Sequence, residues 1–347
     1  MKNTVKSVIK IAAVIFVCTI LIIKADSASH GVKSAMSLCA FTVVPSLLPF
    51  MAVSLYALES GAMSALGKPM KKISRLLFNL PGEGTVIFLM SMVGGFPVGA
   101  KLTAKGVEKG IFTKQQGRRM MCFCICAGPA FVINAVGANM LGSVRAGAIL
   151  LVSLFLSSLF CGVISRFFDK SVAETNDESV FEPDGSAAIN SVRDSIESLI
   201  AICGWILVFG AAGAIISDSP LPGKAREWIC IFLEVTNGCK IAGENFSACV
   251  TAFVLGWSGL AVHAQIMPFM KSVGLKYRFF AAVRAVGAAV SCAVSYALFR
   301  LFPCEAQVFS NAGETVPHIF SVSAPACAAM LLLFALIILD LAPREKV

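Results

Sequence analysis

Charge is scarce in this chain: Asp, Glu, Lys and Arg supply only 14% of its 347 residues, against a hydrophobic fraction of 57%. A soluble domain of this size needs a polar surface, so that shortage excludes one. With a mean hydropathy of +0.82, the chain reads as a polytopic membrane protein. Histidine is also rare, with three in all, and neither an HExxH pair nor a phosphate-cradling Gly-Lys-Ser/Thr loop occurs. Gly256-Trp257-Ser258-Gly259-Leu260 begins like a nucleophile elbow, but Leu260 stands where the last glycine belongs and no strand pattern precedes it. These gaps argue against an enzyme and imply no cofactor. A basic stripe with interleaved aromatics is missing too, which argues against a nucleic-acid partner. The net charge of +9 sits instead in short loops beside apolar segments, as the positive-inside rule asks.

Cysteine is plentiful, at thirteen residues, but Cys18, Cys161, Cys203 and Cys292 lie in apolar runs and read as small buried residues. Cys122, Cys124 and Cys126 fall at i, i+2 and i+4, which a helix scatters over different faces, so no metal site is expected there.

The chain is organised around Leu80 to Gly142. Seventeen uncharged residues separate Glu83 from Lys101, and as a helix they would reach about 25 Å, short of a hydrocarbon core of about 30 Å. Gly94, Gly95, Pro97 and Gly99 disfavour an unbroken helix there. The basic residues Lys68, Lys71, Lys72 and Arg75 precede this segment, and Lys101, Lys105, Lys109, Lys114, Arg118 and Arg119 follow it. A re-entrant hairpin over Thr85 to Ala100 puts both basic loops on the cytosolic side, where a crossing would separate them. Met120 to Leu141 is long enough to span but carries Gly128-Pro129 near its centre. Paired interrupted segments of this kind point to a transporter binding site, because freed backbone groups at membrane depth persist only where protein buries them or a cavity solvates them.

Around this centre, Lys2, Lys6 and Lys10 precede the apolar run Ile11 to Ile23, a retained first helix or a cleaved signal peptide. Val32 to Leu58 is a span bent at Pro45 and Pro49, and Ala146 to Phe168 is another. Six acidic residues between Asp169 and Asp184 mark a solvated linker. Beyond it, Ile196 to Ile216, Ala248 to Met270, Phe279 to Phe302 and Phe320 to Leu341 are apolar, whereas Cys230 to Gly243 is too short to span. Gly95-Phe96-Pro97-Val98-Gly99-Ala100-Lys101 matches Gly259-Leu260-Ala261-Val262-His263-Ala264-Gln265 in Gly, Val and Ala at an offset of 164. Counting crossings then makes the halves inverted repeats. The expected fold is an all-α polytopic membrane protein of two inverted repeats, each with a re-entrant helical hairpin and an interrupted transmembrane helix. Its divisions are an N-terminal segment at 1–31, a first repeat at 32–168, an acidic linker at 169–194, a second repeat at 195–342 and a tail at 343–347.

Candidate solute-binding residues follow from these breaks. They are Gly94, Gly95, Phe96, Pro97, Gly99 and Lys101 on the first segment, and Gly128, Pro129 and Asn134 on the interrupted span. In the second half they are Glu234, Thr236, Asn237, Ser258, Gly259, His263, Gln265 and Arg284. Three hydrogen-bonding groups within Glu234 to Asn237 would be costly to bury unpaired, and a charge such as Arg284 inside an apolar run marks a site unless it snorkels beside Lys276 and Arg278. Helix termini near the midplane, with Lys101, Arg284 and His263 around them, favour an anion.

At Leu80-Pro81-Gly82-Glu83, Gly95 to Lys101, Ala127-Gly128-Pro129-Ala130-Phe131 and Leu233 to Gly238, the chain resembles the YlbJ-type sporulation integral membrane proteins of the nucleoside-recognition, or Gate, superfamily. The resemblance spans about Val32 to Leu341, and Ile125-Cys126 stands where that family carries polar residues. It implies a fold distantly similar to concentrative nucleoside transporters and a role in endospore formation, passing dipicolinate. The partners implied are a small anion and membrane lipid, with homo-oligomers left open, and the place is the bacterial cell membrane or the outer forespore membrane. A nucleoside-like solute and a non-transporting membrane scaffold are the other readings.

Overall fold

The computed structural model describes residues 2–168 and 186–303, and every regular element among them is helical. In the first half these are α1 (Lys2–Ile23), α2 (Ala25–Leu38), α3 (Val44–Glu59), α4 (Ala62–Phe78), α5 (Gly82–Gly94), α6 (Phe96–Glu108), α7 (Lys114–Phe123) and α8 (Val144–Ser165). The second half holds α9 (Ala187–Ser217), α10 (Gly223–Leu233), α11 (Val235–Asn245), α12 (Ala248–Trp257), α13 (Gly259–Ser272) and α14 (Tyr277–Leu301). Wider π-helical turns run over Cys39–Val43, just before Pro45, and over Ala130–Met140, just after Pro129. A proline cannot donate to the preceding turn and clashes with it, so these two turns lie where α-helix geometry is hardest to keep. Among the described residues four helices are long and apolar enough to cross a membrane, or up to six if two bent pairs each count as one span.

Local chemistry sets the joints. α3 meets α4 at 84°, and α4 ends in a left-handed Asn79 whose N–H bonds the Arg75 carbonyl while Leu80 N–H reaches Ser74. That closure satisfies the orphan carbonyls of a helix end and turns the chain toward Pro81. One face of α4 buries Met63, Gly67, Ser74 and Phe78, while Lys68, Lys72 and Arg75 stay outside. α7 starts with a reciprocal capping box between Thr113 and Gln116, at 3.2 Å and 2.9 Å. Phe78, Phe88 and Phe123 then stack α4, α5 and α7 together with ring centroids 4.9–5.9 Å apart.

α5 and α6 fold back on each other about Gly95. Their outer ends lie near one another: Gly82 and Glu83 pack on Gly67 of α4, and Lys105 and Lys109 of α6 both bond Glu59 at the end of α3. The helical fold-back runs from Gly82 to Glu108, wider than the Thr85 to Ala100 expected for a re-entrant hairpin. In the second half the fold-back is made by α10 and α11 about Glu234, over the stretch too short to span. Gly259, matched to Gly95 on sequence, lies instead within a 25-residue candidate span, Ala248–Ser272. The physical reason is local. Ser258 and Gly259 are both left-handed, at φ 75° and 74°, and the chain leaves them without α12 and α13 packing face to face. At Glu234 a fully extended residue, φ −146° and ψ 133°, separates two helices and reverses the path.

One further boundary differs from expectation. Residues 187–194, assigned to the linker, are the first two turns of α9, where Ser191 and Ser195 bond back to the carbonyls four residues earlier. The six acidic residues from Asp169 to Asp184 and the span at Phe320 to Leu341 fall outside the described residues.

Candidate functional site

Each fold-back tip lies against a break in another helix. Gly95, at φ 84°, abuts Gly128, where a Cβ would come 3.3 Å from Gly95 N. The chain is unwound from Cys124 to Gly128, and a Cβ at Gly99 would overlap the Cys124 carbonyl oxygen. Only glycine allows α6 this close to the exposed backbone of the break. In the second pair, a Cβ at Gly259 would stand 2.9 Å from Val235 N and 3.0 Å from Glu234 Cα. The contacts pair Gly95 with Gly128 and Gly259 with Glu234, so the offset of 164 joins the tip of one pair to the break of the other. Phe96, Ile125, Ala127, Val235, Val254 and Leu255 share one apolar core, which brings the two pairs together.

Arg284 ties the two breaks. It is buried on α14, its Nη1 donates to the Ile125 carbonyl at 2.8 Å, and its Nη2 donates to the Ser258 hydroxyl. Ile125 lies in the unwound stretch of the first break and Ser258 is the left-handed hinge of the second. Among the described residues no carboxylate pairs with this guanidinium, and its Nε hydrogen finds no acceptor. A carbonyl and a hydroxyl satisfy hydrogen bonds but leave the charge uncompensated.

Glu234 is the other buried charge at a tip. Its two oxygens accept from Thr236 N and Asn237 N, both at 2.8 Å, so the carboxylate caps α11 and complements the positive end of that helix. Thr236 is half-buried and Asn237 exposed. His263 is buried, with Nε2 donating to the Trp257 carbonyl at 3.0 Å and Nδ1 3.3 Å from the Tyr277 hydroxyl. Phe96 and Pro97 are buried in the first tip, whereas Asn134 is exposed on its π-helical turn and Gln265 is half-buried on α13.

Lys101 lies elsewhere. Its amine bonds the Asp194 carbonyl and the Ser198 hydroxyl of α9, beside Lys105, which bridges Glu59 and Asp194. Gly94 faces Val98 within its own hairpin. The sequence reading did not include Cys126, Ser157, Ser158 and Cys161, which line a small cavity beside Arg284. Their signal is the spacing of Ser153, Ser157 and Cys161, one face of the otherwise apolar α8.

Four to six candidate spans among the described residues, some of them broken, define a polytopic membrane protein. Residues 40–144, which hold the first tip and its break, match the Gate family, described as nucleoside recognition. The chain is 24% identical over 310 residues to the sporulation integral membrane protein YlbJ of Bacillus subtilis, covering 77% of this chain and 76% of that protein. An uncharacterised protein of Alkalihalophilus pseudofirmus is 33% identical over 85 residues, 24% of this chain and 18% of that one. No solved structure matches. The resemblance carried by the motifs is thus borne out over most of the chain.

Proposed function

We propose that the chain is a membrane transporter or channel for a small organic anion, acting during endospore formation. Dipicolinate is the first candidate solute, on the resemblance and on the printed description of the Bacillus relative as a sporulation protein. The observation that carries the anion reading is Arg284, buried between two helix breaks without a carboxylate partner among the described residues. A carboxylate ligand would supply the missing charge and could be held by two parallel N–H bonds, because only two of the five guanidinium hydrogens are committed. In this reading α5 with α6 and α10 with α11 are re-entrant hairpins of two inverted repeats, each serving one broken span. Ser258 and the backbone around Gly95, Gly128 and Gly259 then form the solute's surroundings once the tips part. The outer forespore membrane is the proposed location.

A nucleoside-like solute is the second reading, favoured by the description of the matched family. Purified protein in vesicles loaded with dipicolinate or uridine separates the two. We expect dipicolinate flux that falls at least tenfold in Arg284→Gln, with the variant still inserted. Uridine flux without dipicolinate flux would replace the anion reading with the nucleoside one, and no flux of either would leave a non-transporting scaffold.

A further inference from the structure

We propose that the small cavity beside Arg284 is a binding site for a single halide ion, chloride being the probe of choice, which serves as the counterion of this arginine when no organic anion is bound. The cavity measures about 10 Å³ and lies among α7, α8, α12 and α14. Its wall includes Arg284, Cys126, Ser157, Ser158, Cys161 and Gly287. That volume is roughly the room one water needs, so the somewhat larger chloride ion fits only with a few tenths of an ångström of give in the wall, and a dicarboxylate does not fit.

The chemistry of the wall selects the sign. Arg284 is the charged group of the wall, and no carboxylate lines it. Ser158 Oγ stands 2.8 Å from Cys126 Sγ, and Ser157 donates to the Gly287 carbonyl at 2.6 Å. The Nε hydrogen of Arg284 is buried and unmatched among the described residues. A cation would meet a guanidinium and thiols, whereas a small anion completes the hydrogen bonding at Nε and offsets a charge that Ile125 and Ser258 leave whole. Water would satisfy Nε but not the charge, which makes water the competing occupant in the test. The proposal rests on the surroundings of Arg284 and not on transport.

The test is the apparent melting temperature of the purified full chain in detergent, with sodium chloride exchanged at constant ionic strength for sodium methanesulfonate, whose anion is not a carboxylate and is too large for the cavity. A saturable rise of about 5 °C is expected at about a hundredfold excess of chloride over its Kd, and Arg284→Gln should remove it. Because loss of Arg284 can also cost the fold, Gly287→Ala is the second variant. A Cβ there would meet Cys161 Sγ at 3.6 Å and Ser157 Oγ at 3.7 Å, ordinary contacts, so the methyl takes cavity space without displacing its neighbours. Gly287→Ala should melt at or slightly above the parent in methanesulfonate, since alanine inside a helix is favoured over glycine by up to about 1 kcal/mol, and it should lose the chloride response. Identical melting of the parent in both salts, or a full chloride response in Gly287→Ala, would overturn the site and assign the cavity to water. Dipicolinate flux in chloride-free vesicles without any halide effect on melting would sink this site alone. A halide effect without flux of any solute would support the site and sink the transport reading alone.

Discussion

At the scale of single residues, three charged or polar groups read alike in the sequence have different work in the fold. Arg284 is open toward a cavity, Lys101 is committed to α9, and Glu234 spends both oxygens on its own helix. The last assignment is testable apart from transport. A buried N-cap replaced by Ala loses about 0.5–2 kcal/mol, and Gln keeps one oxygen where Glu has two. The apparent melting point should therefore fall in the order Glu234, Gln, Ala. The ratio of dipicolinate to uridine flux should stay that of the parent, because the side chain shapes the tip and does not select the solute. A changed ratio in Glu234→Gln would give the carboxylate back to the solute. Lys101→Gln follows the same logic: all solutes should slow together, with selectivity unchanged.

At the scale of elements, the first hairpin tests the reading that both of its ends lie on one side of the membrane. Single cysteines at Lys72 on α4 and Lys109 at the end of α6, in a background stripped of native cysteines, should be blocked by an impermeant reagent from the same face. Blocking from opposite faces would remove the hairpin and the inverted repeats with it. The fold-back itself was legible because helix breakers mark it: Gly95 and Pro97 fall at the turn between α5 and α6. The break at Gly128-Pro129 was legible for the same reason. The second hairpin was not, since Glu234 breaks its helix by extended backbone and a carboxylate cap, features that any loop may share with it in one dimension. The glycines at 259 and 95 share a left-handed φ, so the sequence match was real at the residue level. It failed at the level of the element, because direction after a left-handed pair depends on what the next helix packs against. The site itself was half legible: Arg284 and Ser258 were named, but the Ile125 carbonyl carries no side-chain signal, and Ser157 and Ser158 look like ordinary small residues of an apolar helix.

At the scale of the whole molecule, the first hairpin is fastened to the second half through charges. Lys105 bonds Glu59 at 2.7 Å and also Asp194, Lys109 bonds Glu59 at 2.7 Å, and Lys101 bonds the Asp194 carbonyl and Ser198. Two ammonium groups, Lys105 and Lys109, thus share the carboxylates of Glu59 and Asp194 where α3, α6 and α9 meet, with Lys101 beside them on the Asp194 carbonyl, and Glu59 is only 10% exposed at its side chain and Lys105 21%. Isolated surface pairs contribute about 0–1 kcal/mol, but a network this sheltered should act as a unit. Glu59→Gln leaves Asp194 to hold Lys105, and Asp194→Asn leaves Glu59, so each single change should cost about 1 kcal/mol. With both carboxylates neutral, three lysines face one another in partial burial and repel. The double variant should therefore lose more than the sum of the singles, by roughly 1 kcal/mol or more of coupling. Melting of the four proteins in one detergent at low salt measures it, and the excess should shrink as salt rises, since screening acts on exposed parts of the cluster. Strict additivity would mean that Glu59 and Asp194 neutralise different lysines independently, and that α9 is held to the hairpin by packing alone.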